Sequence, residues 1–115
     1  ASIDAMRDAR RSCSDLPQIE LVTADVKKWL NQNASEQFDV VVLDPPRAGA
    51  GAEVIAKIAT MACDKIIYVA CDPSALGRDT AYLHELGWEM SQLRGFDAFP
   101  MTSHVECIAL FKRAN

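Results

Sequence analysis

The stretch FDVVVLDPPR, residues 38–47, constrains this chain more than any other. Its β-branched, apolar middle predicts a strand buried on both faces, as in the centre of a parallel sheet. Pro45 and Pro46 lack backbone donors, so the strand has to stop at Asp44 and the chain must turn stiffly there. A second apolar run, IIYVA at residues 66–70, ends in the same abrupt way at Cys71, with Asp72 and Pro73 after it. Val40, Val41, Val42, Ile67 and Val69 are accordingly expected to be buried in adjacent central strands.

The remaining pattern supplies the helices that such a sheet needs. Residues 2–14 carry Ile3, Met6 and Cys13 at roughly helical spacing, and Pro17 ends that segment. Residues 19–23 read as a short strand, and Asp25 stands where an N-cap belongs before a short helix at 26–30. Across 52–62, Val54, Ile55, Ile58 and Met61 form an apolar stripe, with Glu53 and Lys57 spaced to pair at i, i+4. A helix over 74–86 closes at Gly87, and strands follow at 88–96 and 105–112. This α-β-α-β-α-β-α-β-β order predicts an α/β fold: a parallel sheet flanked by helices, with an antiparallel finish.

The chain has 115 residues, half of them hydrophobic and 24% charged, which suits a single compact domain over 1–115. Its formal net charge of −4 argues against a domain that grips nucleic acid unaided, because such domains present a basic face. It leaves open a catalytic domain whose hold on nucleic acid is supplied elsewhere. Cys13, Cys63, Cys71 and Cys107 form no C-x-x-C pair, and His84 and His104 add no metal-ligand spacing. No metal site is expected. A disulfide framework is not expected in a chain this rich in core material, and no stretch has the length to span a membrane. A reduced, cytoplasmic setting is the expectation.

In parallel sheets flanked by helices, ligands sit beyond the carboxyl ends of the strands. Asp25, Asp44 and Cys71 fall at those ends. Cys71 is either a small buried hydrophobe or a nucleophile; its place at a strand exit before a helix favours thiolate chemistry. Asp44 is either the cap of a rigid turn or an acid held at the sheet rim. Arg47 suits a solvated or salt-bridged role, with a phosphate contact as the alternative. Glu106 heads a row that continues with Ile108 and Leu110. Desolvation there would raise its pKa and make it a usable proton acceptor; otherwise it is a strand-end glutamate reaching water. His104 stands two residues away, to orient Glu106 or cap the loop, and His84 reads as solvated helix surface.

Taken in order, FDVVVLDPPRAGA, IIYVACDPSALGRD and FDAFPMTSHVECIALFKR resemble the C-terminal part of the S-adenosylmethionine-dependent RNA (uracil-5-)-methyltransferases, which make 5-methyluridine in tRNA or 23S rRNA. The resemblance implies a partial Rossmann-like sheet with its first strands missing, acting on RNA with the N-terminal portion of the same protein. It matches Cys71 to the nucleophile that adds to C6 of uracil and Glu106 to the base that removes the C5 proton. Asp44 matches an acid of the methyl-donor and target site, and Asp25 a position near the adenine of the cofactor, S-adenosylmethionine. Asp72 departs from the asparagine of many members and brings a carboxylate beside the thiol. None of the glycines belongs to a cofactor-binding turn before the first helix, so the isolated chain is expected to bind the methyl donor weakly or not at all. Two rival readings are an RNA cytosine-5 methyltransferase, which usually carries a second cysteine where this chain has DPPR, and an inactive fragment or interaction module.

Overall fold

A computed structural model describes residues 3–12, 14–96 and 106–114. The elements run α1 (Ile3–Ser12), α2 (Val26–Gln32), β1 (Phe38–Leu43), α3 (Ala52–Met61), β2 (Ala62–Ala70), α4 (Pro73–Glu85), β3 (Trp88–Phe96) and β4 (Glu106–Arg113). The four strands form one sheet in the order β1-β2-β4-β3. β1 and β2 are parallel, whereas β4 is antiparallel to both of its neighbours, β2 and β3. The expected parallel sheet with an antiparallel finish is therefore present.

Residues 19–23 form no strand; the sheet begins with β1, and this segment has no ladder partner among the described residues. Extended backbone becomes a strand only when its amides and carbonyls are paired across a ladder. β2 starts at Ala62 rather than at residue 66, taking Asp64 and Lys65 into the strand. Glu53 makes its ion pair with Lys27 of α2, 2.7 Å away, rather than with Lys57 of its own helix.

The core lies on one side of the sheet. Ile55, Ile58, Ala59 and Met61 of α3, with Leu76 and Leu83 of α4, cover Ile66, Tyr68, Ala70, Cys107, Ala109 and Phe111. In β2 and β4, buried residues alternate with partly or fully exposed ones, the mark of a sheet packed on one face. This corrects the expected burial of the valine runs. Val40 is 42% exposed and Val42 62%, while Val41, Ile67 and Val69 are only half-buried. Both α3 and α4 pack on the face that carries Val41, Ile66 and Phe111; the opposite face, with Val42, Ile67 and Leu110 on one rung, has no helix across it among the described residues. β1 is moreover an edge strand of this sheet.

Candidate functional site

Topology brings three of the candidate residues to one rim. β1 and β2 are parallel, so Asp44 and Cys71 leave the sheet at the same edge. β4 runs the opposite way, so its first residue, Glu106, stands at that edge as well. The last rung between β2 and β4 pairs Ala70 with Cys107, which places Glu106 where the next rung would face Cys71. Asp44, Cys71 and Glu106 thus follow one another across three neighbouring strands.

Local chemistry holds each end in place. Pro45 and Pro46 end β1, and the turn behind them closes with the Gly49 amide donating to the Pro46 carbonyl at 2.8 Å. At the exit of β2, Asp72 is the N-cap of α4: its carboxylate accepts from the Ser74 amide at 2.9 Å, and Pro73 takes the first helical position. The carboxylate beside Cys71 is thereby engaged on the helix start. Cys71 is a free cysteine, partly exposed at the rim, and Cys107 is free and buried.

Asp25 caps α2, accepting from the Lys28 amide at 3.1 Å. The Lys27–Glu53 ion pair ties the start of α2 to the first turn of α3. The Glu53 carboxylate, as hydrogen-bond partner and as charge, raises the pKa of the exposed Lys27 above its ordinary value. A cleft of about 490 Å³ opens between α2, β1 and α3, lined by Val26, Trp29, Val41, Asp44, Pro45 and Ala50 among others. Flat apolar walls with one carboxylate at the rim suit a ligand that is part heterocycle and part polar.

Glu106 is half-buried, and the row it heads is less sheltered than its apolar composition suggests, since Ile108 is 40% exposed. Arg47 lies exposed in the turn after Pro46, and His84 is exposed in the last turn of α4. His104, Cys13 and the Cys63 side chain lie outside the described residues. Among the described residues no cluster of histidine, cysteine and carboxylates is placed to hold a metal ion, and no helix is long and apolar enough to cross a membrane.

Two residues behind the rim escaped the sequence reading. Asp79 is 2% exposed and accepts a 2.5 Å hydrogen bond from the Tyr68 hydroxyl. Burial and the neighbouring Asp79 carboxylate push the Tyr68 phenol well above its ordinary pKa, so it stays a donor. The signal was in the spacing: Ala75, Leu76, Asp79 and Leu83 share the buried stripe of α4, where a charge needs partners.

Residues 9–114 match the sequence pattern of the tRNA (uracil-5-)-methyltransferase family. An uncharacterised RNA methyltransferase of Streptomyces coelicolor is 41% identical over 110 residues, 96% of this chain and 24% of the relative. The 23S rRNA (uracil(1939)-C(5))-methyltransferase RlmD of Vibrio campbellii is 44% identical over 81 residues, covering 70% of this chain and 18% of the relative. Among solved structures, the Pyrococcus abyssi tRNA (uracil-54, C5)-methyltransferase in complex with S-adenosyl-L-homocysteine superposes with a TM-score of 0.77 at 27% identity, over 96% of this chain and 26% of that one. The N-methyltransferase NodS of Bradyrhizobium japonicum, at 12% identity, shares the fold alone, with a TM-score of 0.74 over 99% of this chain and 70% of that one. The sheet is therefore a Rossmann-like methyltransferase sheet, and the chain spans about a quarter of the length of its methyltransferase relatives from Streptomyces and Pyrococcus. By the match over residues 9–114, this chain belongs to the tRNA (uracil-5-)-methyltransferase family.

Proposed function

We propose that the chain is the catalytic C-terminal segment of an RNA uracil-C5 methyltransferase that works through a cysteine adduct. The observation that carries this reading is the succession of Asp44, Cys71 and Glu106 along one rim of three adjacent strands. Family membership supports uracil in RNA over cytosine as the target. The full-length protein would supply the remaining contacts to RNA and cofactor. A cytoplasmic setting, where Cys71 stays reduced, goes with this reading.

C5 of uracil is a weak nucleophile until electrons are pushed onto it. The Cys71 thiolate bonds to C6, and the C5=C6 electron pair moves toward C5 and O4. Bound S-adenosylmethionine would supply the electrophilic methyl group that C5 takes up, its sulfonium sulfur being the leaving group. Glu106 then takes the C5 proton, the double bond re-forms and the Cys71–C6 bond breaks, releasing the thiolate. Asp44 stands beside Cys71 on the rim, to orient polar atoms of donor or target. The cleft between α2, β1 and α3 fits the heterocyclic end of the donor, with Trp29 and Pro45 as apolar walls and Asp25 at the start of α2 for its polar edge.

The test uses the full-length protein and RNA carrying 5-fluorouridine at the target position. A fluorine at C5 cannot depart as a cation, so a covalent, methyl-donor-dependent complex should accumulate. Cys71→Ala should abolish both this complex and turnover. Glu106→Gln should add and methylate ordinary uridine yet release it slowly, so that methylated complex builds up. Adduct formation in Cys71→Ala would overturn the nucleophile assignment.

A further inference from the structure

Asp79 is used by none of these steps, yet it is the charged residue that the fold buries most completely among those described. Its Oδ2 accepts from the Tyr68 hydroxyl at 2.5 Å and from the Ala50 amide at 2.7 Å, and its Oδ1 accepts from the Gly51 amide at 3.1 Å. One carboxylate on α4 therefore grips both β2 and the segment that joins β1 to α3. Gly51 is the N-cap of α3 and offers no side chain to that helix end, so the carboxylate places its negative charge where the helix dipole favours it. Arg78, the preceding residue, donates to the Ala48 carbonyl at 3.4 Å.

The position of this grip matters. The ladder between β1 and β2 ends with Leu43 opposite Tyr68. Past that rung β2 stays paired with β4 as far as Ala70, but among the described residues no backbone pairing with β1 fixes the spacing of the Asp44 turn from the Cys71 turn. The hydroxyl on that last rung, the two amides at the end of the Asp44 turn and the helix that starts behind Cys71 all meet at Asp79. Gly49 lets the turn come this close: a Cβ there would lie 2.9 Å from Asp79 Oδ2.

We propose that Asp79 is a positioning residue: it sets the spacing of the Asp44 turn from the Cys71 turn, and its worth to turnover rests on the roles proposed above for those two residues. Asp79→Asn tests it, because the carboxamide keeps the shape but offers one acceptor oxygen and turns an NH₂ toward the remaining donors. In the chain itself, amide exchange at Ala50 and Gly51 should quicken roughly tenfold or more, the worth of one hydrogen bond to a charged group, while exchange at Ile66 and Phe111 holds. In the full-length protein, kcat should fall at least about tenfold with the KM values for RNA and methyl donor moved less than about threefold, since misplacement weakens the reaction step rather than ground-state binding. Tyr68→Phe keeps both amide bonds and should lower kcat by only a few fold; it serves as the second variant if Asp79→Asn does not fold. Wild-type kcat in Asp79→Asn, a fall in core protection equal to that at Ala50, or wild-type kcat in Tyr68→Phe would overturn the proposal. Turnover surviving in Cys71→Ala would instead overturn the adduct mechanism, and the exchange measurement would still report on Asp79 by itself.

Discussion

Gly49 and Gly87 offer a matched pair for measuring how tightly the Asp44 turn is packed onto Asp79. Their φ angles are +89° and +88°, so alanine is strained at either position. That strain is worth about 1–2 kcal/mol for a residue with a Cβ. Around Gly87 the added Cβ would meet nothing within 4 Å. At Gly49 it would meet Asp79 Oδ2 at 2.9 Å and the Cβ of Ala75 at 3.2 Å. α4 cannot step back, since Ala75, Leu76 and Asp79 are all buried in the core behind it. The carboxylate must then surrender its bond to the Ala50 amide, a loss of roughly 1.5–3 kcal/mol for a hydrogen bond to a charged group. Gly49→Ala should therefore cost about 2.5–5 kcal/mol and Gly87→Ala about 1–2 kcal/mol. Urea unfolding followed by the fluorescence of Trp29 and Trp88 reads the difference. With a urea slope near 1–3 kcal/mol/M, Gly49→Ala should unfold at a midpoint roughly 0.5–3 M below that of Gly87→Ala. Equal midpoints would mean that the turn does not press on Asp79, and the account of that contact would be wrong.

Other perturbations probe other layers. Phe111→Ala, which empties a site 1% exposed in the interior strand β4, should cost about 3–5 kcal/mol in the same unfolding assay. Val42→Asp on the uncovered face should cost less than about 1 kcal/mol, whereas Val41→Asp on the helix-covered face should cost more than about 3 kcal/mol; similar losses would contradict the one-sided core. The Tyr68 phenol has its pKa raised in the folded chain above the unfolded value of 10.0, so its stabilising share is complete below pH 10 and drains away as pH climbs beyond. Absorbance titration should find one tyrosine that ionises only on alkaline unfolding, and Tyr68→Phe should flatten the fall in stability above pH 10. Glu53→Gln removes a solvent-exposed ion pair with Lys27 and should leave the melting temperature unchanged within error.

What could be read from the sequence divides along physical lines. Strand ends and helix starts are local events, and their chemistry is written locally: Pro45 and Pro46 after β1, Asp25 before α2, and Asp72 with Pro73 before α4. Those signals put Asp44 and Cys71 at strand exits, where the structure has them; that antiparallel β4 brings Glu106 to the same rim is seen only in the structure. Burial is a tertiary property, and there the reading failed. Val40 and Val42 alternate with Val41, but a run of one residue type carries no mark of which face is covered. Residues 19–23 have strand composition, yet pairing depends on a neighbour that local sequence does not name. Asp79 was passed over because a charge in mid-helix is usually solvated; only its phase with Leu76 and Leu83 told otherwise.

The strand order also bears on how the chain is made. β4 comes after every other strand in chain order, yet it occupies an interior lane between β2 and β3. As the polypeptide emerges from the ribosome, β1 and β2 can zip together, with α3 between them to shield one side. β3 has no such option: among the described residues its only ladder is to β4, so it waits unpaired until that strand has been synthesised. Sheets whose closure depends on distant segments fold slowly and leave edges open in the interval. A nonsense codon between Phe96 and Glu106 would thus cleave the architecture through its middle, leaving a two-stranded remnant and an orphan. Damage at the C-terminus of this chain is not trimming; it withdraws the strand that makes four strands one sheet.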